Sequence, residues 1–332
     1  MRVSVLGTGA WGTTLAQVVI DAGHEAIMWG RNSTVVDEIN HRHTNAKFLP
    51  GTSLSHSLTA TTDISLALRG VDAAVIAIPA QTLRENLRAW KQHLNPAIPL
   101  ISTLKGIESG TQARMTQVMM QELGIDVSTI GLLTGPNLAA ELAARQPAGA
   151  VAASESNTIS DLMINLFTTD YFRIYPSDDL VGCELAGATK SIIALAVGMA
   201  IGLGYGENTQ AMIITRGLGE VARFGAGYGA NPLTNLGLAG IGDLIASCGS
   251  PLSRNRTFGE VLGRTGSMEA ARLEVSTTVE GVASAPAILE LAHQVGVTAP
   301  IIEVVSDVVN NGLTPSEAIK RLMTVSLAAE IQ

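Results

Sequence analysis

At 332 residues the chain is longer than one ordinary hydrophobic core organises, and it reads as two domains. Hydrophobic residues make up 46% against 15% charged, with only 4% aromatic and a mean hydropathy of +0.30, so a large core of Ala, Val, Ile and Leu is available. The formal net charge of −8 speaks against a nucleic-acid polyanion as partner, yet leaves room for a local basic pocket that takes a small phosphorylated ligand.

The chain runs from Met1 straight into an apolar stretch, which leads to the expectation of no leader peptide. Through the first half, short apolar runs alternate with longer amphipathic ones, the pattern of βαβ units around a parallel sheet. Strands are expected over 2–6, 25–29, 73–77, 99–102, 130–133 and 150–153, with helices over 13–22 and 81–90 between them. The run AAVIA at 73–77 suits a strand covered on both faces. Beyond about Ser177 the segments become long and helical, with a glycine-rich joint expected at 225–227, and the division falls at 1–180 and 181–332. The longest apolar run, 192–204, is too short to cross a membrane, which takes about 20 residues, and reads as a core helix of a cytoplasmic protein. The stretch GMAIGLGYG at 198–206 reads as close helix packing followed by a helix end. The expected class is therefore α/β: a doubly wound Rossmann-type sheet followed by an all-helical domain.

Gly7-Thr8-Gly9-Ala10-Trp11-Gly12 sits between the first strand and the first helix, the context a dinucleotide turn requires. Gly7 serves the tight turn, Gly9 the backbone approach to a pyrophosphate, and Gly12 the contact between helix and strand. The helix start supplies free N–H groups and a positive dipole for the phosphates. At the end of the second strand, where an NAD site usually carries Asp or Glu, the chain has Arg31. Its guanidinium suits a 2′-phosphate, so NADP(H) is preferred and NAD(H) possible; the alternative is a solvated surface arginine.

Lys105 lies just past an expected strand, at the carboxyl end where a doubly wound sheet binds ligands, or else it is a surface loop lysine. Lys190 opens a run that is apolar on nearly every face, so its ammonium is desolvated unless paired, and a depressed pKa suits proton exchange with an alcohol or ketone. A lysine that snorkels to the surface is the competing reading. Asp243, after Gly240-Ile241-Gly242, heads a helix and either caps it, bonds a substrate hydroxyl or orients Lys190, or combines the cap with one of these. Ser253-Arg254-Asn255-Arg256 is the densest basic and polar stretch of an apolar domain and reads as an anion pocket or a solvated loop. Cys183 and Cys248 have no metal-ligand spacing, and His41, His43 and His56 read as surface residues, so no metal is expected.

Together the segments GTGAWGTTLA from Gly7, STLKGIE from Ser102, LTGPNLAAEL from Leu133, ATKSIIALAVGMAIGLGYGENTQAMIITRGLGE from Ala188, GLAGIGDLIASC from Gly237, SRNRTFG from Ser253 and VEGV from Val279 resemble the NAD(P)-dependent glycerol-3-phosphate dehydrogenases of the bacterial type. They span nearly the whole chain in one order. The resemblance implies reversible reduction of dihydroxyacetone phosphate to sn-glycerol 3-phosphate by a homodimeric cytoplasmic enzyme that supplies glycerophospholipid synthesis. It implies Lys190 as proton donor and acceptor, with Lys105 and Asp243 beside it. Lys105, Asp243, Ser253, Arg254 and Asn255 would surround the substrate, with Gly135 and Asn137 against it. Ala10, Trp11, Arg31, Lys105, Ala139, Arg254, Thr278 and Glu280 would contact the cofactor. Asn137 stands where the motif usually has a small Ser or Thr. Two rivals remain open at this point: a similar dehydrogenase of a hydroxyacyl thioester or sugar acid, and a non-catalytic dinucleotide sensor.

Overall fold

The structure is a computed structural model and describes residues 1–275 and 278–324. Ten strands form: β1 (Arg2–Leu6), β2 (Glu25–Trp29), β3 (Thr44–Asn45), β4 (Leu49–Ser53), β5 (Thr59–Thr61), β6 (Ala73–Ile76), β7 (Leu100–Ser102), β8 (Ile130–Thr134), β9 (Ala148–Ala153) and β10 (Phe172–Ser177). Eight of them make one sheet in the order β10-β9-β8-β7-β6-β1-β2-β5, and β3 and β4 make a separate hairpin. From β5 to β8 every pairing is parallel. The chain steps outward from β1 to β2 and β5, then returns to β6 on the other side of β1. That reversal opens a crevice at the carboxyl ends of β1 and β6, where such sheets bind ligands. β6 is buried at all four positions, as its unbroken apolar run requires.

One strand runs against expectation. β9 starts at Ala148 and pairs antiparallel with β8. Between them lies only the five-residue helix Ala139–Ala143, which packs on helix Ala10–Asp21 instead of recrossing the sheet. β10 then pairs parallel to β9 at the edge, with Phe172 and Ile174 inward, Arg173 and Tyr175 outward, and Pro176 at a position only an edge tolerates.

The C-terminal domain is helical, and its axis is helix Leu180–Gly202. At 23 residues it is longer than the apolar run read from sequence and is long and apolar enough to cross a membrane, but 83% of its most apolar window is buried inside the fold. Gly198 and Gly202 face helix Arg254–Thr265, where a Cβ on either would strike the carbonyl oxygen of Arg256 or Glu260. Gly259 and Gly263 answer from the other helix against the carbonyls of Leu195 and Met199. Four glycines thus let two backbones meet, which brings the start of helix Arg254–Thr265 toward Lys190. Gly225 and Gly227 are no joint: helix Glu207–Gly227 runs through Gly225 and ends at Gly227, where a side chain would overlap Val295.

Buried Glu184 ties the long helix to the sheet domain. It accepts from Arg114 Nη1 at 2.7 Å, Thr116 N at 2.8 Å and Thr116 Oγ1 at 2.7 Å.

Candidate active site

The turn after β1 has the form a diphosphate needs. Gly7 has a φ of +136°, and a Cβ there would overlap the Ala77 carbonyl; a Cβ on Gly12 would overlap the carbonyl of Gly7. Gly9 differs, because its missing Cβ points into open space, with nothing within 4 Å. Gly9 also heads helix Ala10–Asp21 with no side-chain cap, so the first N–H groups of that helix, at Ala10 and Trp11, are free for an anion. An open concavity at the head of a twelve-residue helix, walled by two glycines that tolerate no side chain, fits a dinucleotide pyrophosphate. Trp11 is half-buried against the core of the sheet domain. Ala139 lies beside the same helix, its carbonyl accepting from Thr14 Oγ1 at 3.1 Å. Gly30 packs on Thr8 too closely for a side chain, which sets the exposed Arg31 next to the turn.

Three charged groups from distant segments meet at the carboxyl end of the sheet. Lys105 follows β7, Gly135 follows β8, Lys190 comes from the long helix, and Asp243 is the first residue of helix Asp243–Gly249. The Asp243 carboxylate is 2% exposed and joins both lysines: Lys105 Nζ donates to Oδ2 at 2.6 Å, and Lys190 Nζ donates to Oδ1. Lys105 also donates to the Gly135 carbonyl at 3.1 Å, and Lys190 to Ser247 Oγ at 2.8 Å. Asp243 therefore spends its oxygens on ammonium groups and does not cap its own helix. A π-helical turn, Leu238–Gly242, leads into it, the kind of irregularity that often marks a functional site. Burial pushes the Lys190 pKa down to about 7; Asp243 pulls it up, and the Lys105 charge pushes it down further. Lys190 is the more enclosed lysine, its side chain 12% exposed against 23% for Lys105.

The basic segment divides its work. Ser253 is buried and accepts from Arg256 N at 3.4 Å as the cap of its own helix, so the capping reading applies to Ser253 instead of Asp243. Asn255 Oδ1 accepts from Gly281 N at 2.9 Å and caps helix Glu280–Gln294 from outside. Gly281 fits between that oxygen and the carbonyl of Ser191, beside Lys190, with no room for a Cβ. Arg254 is exposed and makes no hydrogen bond among the described residues, and its charge acts on Glu280. Glu280 reaches back to the sheet domain, where Oε1 accepts from Ala80 N at 3.2 Å; Oε2 is buried beside Gly106 without a partner among the described residues. Burial raises its pKa. Asn137 Nδ2 donates to the Gly149 carbonyl at 3.0 Å, and its buried Oδ1 has no described partner. Thr278 is exposed and is drawn into none of these contacts.

Two residues escaped the sequence reading. Ser247 lies one helical turn after Asp243, and that i, i+4 spacing is the signal that would have found it. Asn45, wholly buried beside the glycine turn, carries no such signal. Elsewhere, burial pushes the Cys183 and Cys248 thiols up to about 12, which leaves them inert. His41 and His56 are exposed, while His43 is half-buried, its ring edge-on to His56 at 4.0 Å.

A Rossmann-like domain whose phosphate turn and whose Lys105 lie at the same carboxyl edge of the sheet, with a further lysine and a carboxylate supplied by a helical domain, defines a two-domain, dinucleotide-dependent oxidoreductase. Comparison with known proteins narrows the class. Residues 2–160 match the family model for the NAD-dependent glycerol-3-phosphate dehydrogenase N-terminus, and residues 179–320 match that for its C-terminus. Glycerol-3-phosphate dehydrogenase [NAD(P)+] of Thermobifida fusca is 48% identical over 99% of this chain and 98% of its own, and that of Streptomyces griseus is 46% identical over the same shares. The crystal structure of glycerol-3-phosphate dehydrogenase from Coxiella burnetii superposes with a TM-score of 0.92 at 31% identity, covering 97% of this chain and 98% of that one. The chain belongs to the NAD-dependent glycerol-3-phosphate dehydrogenase family.

Proposed function

We propose that this chain reduces dihydroxyacetone phosphate reversibly to sn-glycerol 3-phosphate, with NADP(H) preferred and NAD(H) accepted. The observation that carries the proposal is the buried Asp243 carboxylate held between Lys190 and Lys105 at the carboxyl edge of the sheet that bears the glycine turn. Gly9, Ala10, Trp11 and Arg31 would hold the dinucleotide, with Ala139, Glu280 and Thr278 around it, and the bound reduced nicotinamide supplies a hydride to the ketone carbon. Lys190 gives its Nζ proton to the ketone oxygen as that oxygen gains charge, and takes it back in the reverse direction. A pKa near neutrality suits a group that must do both. Asp243 and Ser247 hold the Lys190 amine in place, and Lys105 stabilises the developing oxyanion. Arg254 and Asn255, at the start of a twelve-residue helix, grip the phosphate, and Gly135 and Asn137 close the other side. Binding energy from the remote phosphate then fixes the carbonyl for reaction.

Residues 1–180 are assigned to the dinucleotide and 181–332 to the substrate. A homodimer is supported by an open groove of about 700 Å³ whose lining includes Tyr175, 47% exposed, Thr234 and Leu238, and by Leu233 and Leu236, each 68% exposed, in the same segment as Thr234. Burial of the long helix inside the fold supports a cytoplasmic enzyme, whose product would feed glycerophospholipid synthesis.

The test is oxidation of NADPH with dihydroxyacetone phosphate, set against acetoacetyl thioesters and sugar acids and repeated with Lys190→Ala. Turnover should favour the triose phosphate and fall by orders of magnitude in the variant while NADPH still binds. Equal rates across the panel would overturn the substrate, and full activity in the variant would overturn the role of Lys190.

A further inference from the structure

We propose that Asn45 is a positioning residue for the dinucleotide turn: its side-chain amide fixes the orientation of the Thr8–Gly9 peptide. The inference rests on the dinucleotide reading of that turn given above. Asn45 ends β3, in the small hairpin that pairs with no strand of the main sheet. It is 0% exposed, and its Nδ2 donates to Thr8 O at 3.0 Å and to Thr13 Oγ1 at 2.8 Å. Its Oδ1 is buried with no partner among the described residues. A half-satisfied buried amide is costly, so packing alone favours an apolar residue here.

The amide does something an apolar residue cannot. In a planar trans peptide the carbonyl and the following N–H point in opposite directions. Anchoring Thr8 O on Asn45 therefore turns the Gly9 N–H away from Asn45, at the head of helix Ala10–Asp21, where the place of a Gly9 side chain is open space. The second bond fixes Thr13 in the first turn of that helix, so one side chain spans the loop and the helix start. Asn45 is itself held from both sides. Glu38 Oε1 accepts from Thr44 Oγ1 and Ala46 N, each at 2.8 Å. Glu38 belongs to helix Ser33–Arg42, whose cap, Asn32, directly follows Arg31. A continuous path thus links the Arg31 segment to the glycine turn and sets the spacing between the groups proposed for the two ends of the adenosine diphosphate.

The experiment titrates NADPH and NADH by fluorescence at pH 8 on the full chain and on Asn45→Ala, Asn45→Asp and Asn40→Ala, with melting curves and steady-state kinetics for each. Asn45→Asp keeps the side-chain volume but presents a carboxylate that cannot donate. Asn40→Ala is a stability control in the same domain, since among the described residues the Asn40 side chain bonds only Ala60, at 2.8 and 2.9 Å. Both Asn45 variants should raise the Kd of either dinucleotide about tenfold, the worth of one hydrogen bond. The KM for NADPH should rise in step, while kcat at saturating cofactor and the KM for dihydroxyacetone phosphate stay within about twofold. Asn40→Ala should lower Tm and leave Kd alone. If Asn45→Ala does not fold, Asn45→Asp carries the test. A Kd within about twofold of wild type in folded Asn45 variants, with Tm lowered as in Asn40→Ala, would reduce Asn45 to packing and overturn the inference. A wild-type chain that binds neither dinucleotide would overturn the reading of the turn and this inference with it.

Discussion

Replacing Asp243 with Asn keeps the shape of the side chain and removes one negative charge from between two ammonium groups. The carboxylate is 2% exposed, so water screens little of the loss. At an effective dielectric of about 20, one ion pair roughly 4 Å apart is worth about 4 kcal/mol, or about three pKa units. Relaxation of the site and entry of water reduce that to about one or two units. The sign follows from the charge: without the anion the ammonium form of Lys190 is less favourable, so a pKa already pushed down to about 7 falls further. Wild-type kcat/KM for ketone reduction should decline above about pH 7, where Lys190 loses its proton, and that for alcohol oxidation should rise through the same point. In Asp243→Asn both inflections should move to acid by about one or two units, and reduction at pH 7.5 should slow by roughly ten- to a hundredfold. The assay is a pair of pH–rate profiles from pH 5 to 9, reduction and oxidation, for each protein. A variant uniformly slower with its inflections unmoved would show that Asp243 only orients the site, and unchanged rates would remove it from the chemistry.

Arg31→Asp should weaken NADPH relative to NADH by at least about tenfold, since the guanidinium is exchanged for a group that repels a 2′-phosphate and accepts from a 2′-hydroxyl; an unchanged ratio of Kd values would make Arg31 a bystander. Gly9→Ala and Gly12→Ala should part company. The first places its methyl in open space and should melt like wild type while binding NADPH more weakly, whereas the second strikes the Gly7 carbonyl and should lose roughly 1–3 kcal/mol of stability by denaturant titration. Glu220 is 3% exposed and accepts from Ile301 N at 2.8 Å and Ile302 N at 3.2 Å, yet burial pushes its pKa up to about 7. The folded state therefore holds a proton there that the unfolded chain gives up nearer 4.5, so this contribution is full below about pH 4.5 and lost as pH rises through 7. Glu220→Gln has no such titration, and its stability relative to wild type should climb between pH 5 and 8 by on the order of 2 kcal/mol; a flat difference would contradict the burial argument.

The parallel core was legible because period and punctuation agree there: β1, β2 and β6 are short apolar runs, and the glycine turn sits where one of them ends. β5 and the β3–β4 hairpin were not, since strands of three, two and five residues of mixed polarity carry no period. β10 was missed for a different reason. Its alternation of Phe172 and Ile174 with Arg173 and Tyr175 is a strand pattern, but Pro176 within it argues against any strand except at an edge, and only the folded sheet says where the edge is. The direction of β9 was equally out of reach, because it depends on where helix Ala139–Ala143 packs. The glycines at 198 and 202 were read as close packing, although nothing local revealed that their partners are Gly259 and Gly263. Lys105, Lys190 and Asp243 were each visible as chemistry. Their meeting was expected from the reading of Asp243 as a partner of Lys190 and from the family resemblance, since no local pattern joins residues 138 and 53 positions apart.

On the proposed mechanism, that meeting gives a reason for two lysines where proton transfer needs one. A lone Lys190 buried against Asp243 would form a closed ion pair, with the carboxylate holding the proton on the amine and so opposing its release. A second ammonium on the other carboxylate oxygen changes the balance, because one negative charge then serves two positive ones and a positive charge is left over in poorly hydrated surroundings. The surplus is relieved most readily by losing the proton whose charge is least hydrated. Lys105 has more of its side chain open to water and the Gly135 carbonyl as a further acceptor. On the proposed mechanism the mobile proton is the one on Lys190, and Lys105 would act through its charge, which pushes the Lys190 pKa down and so favours release of that proton.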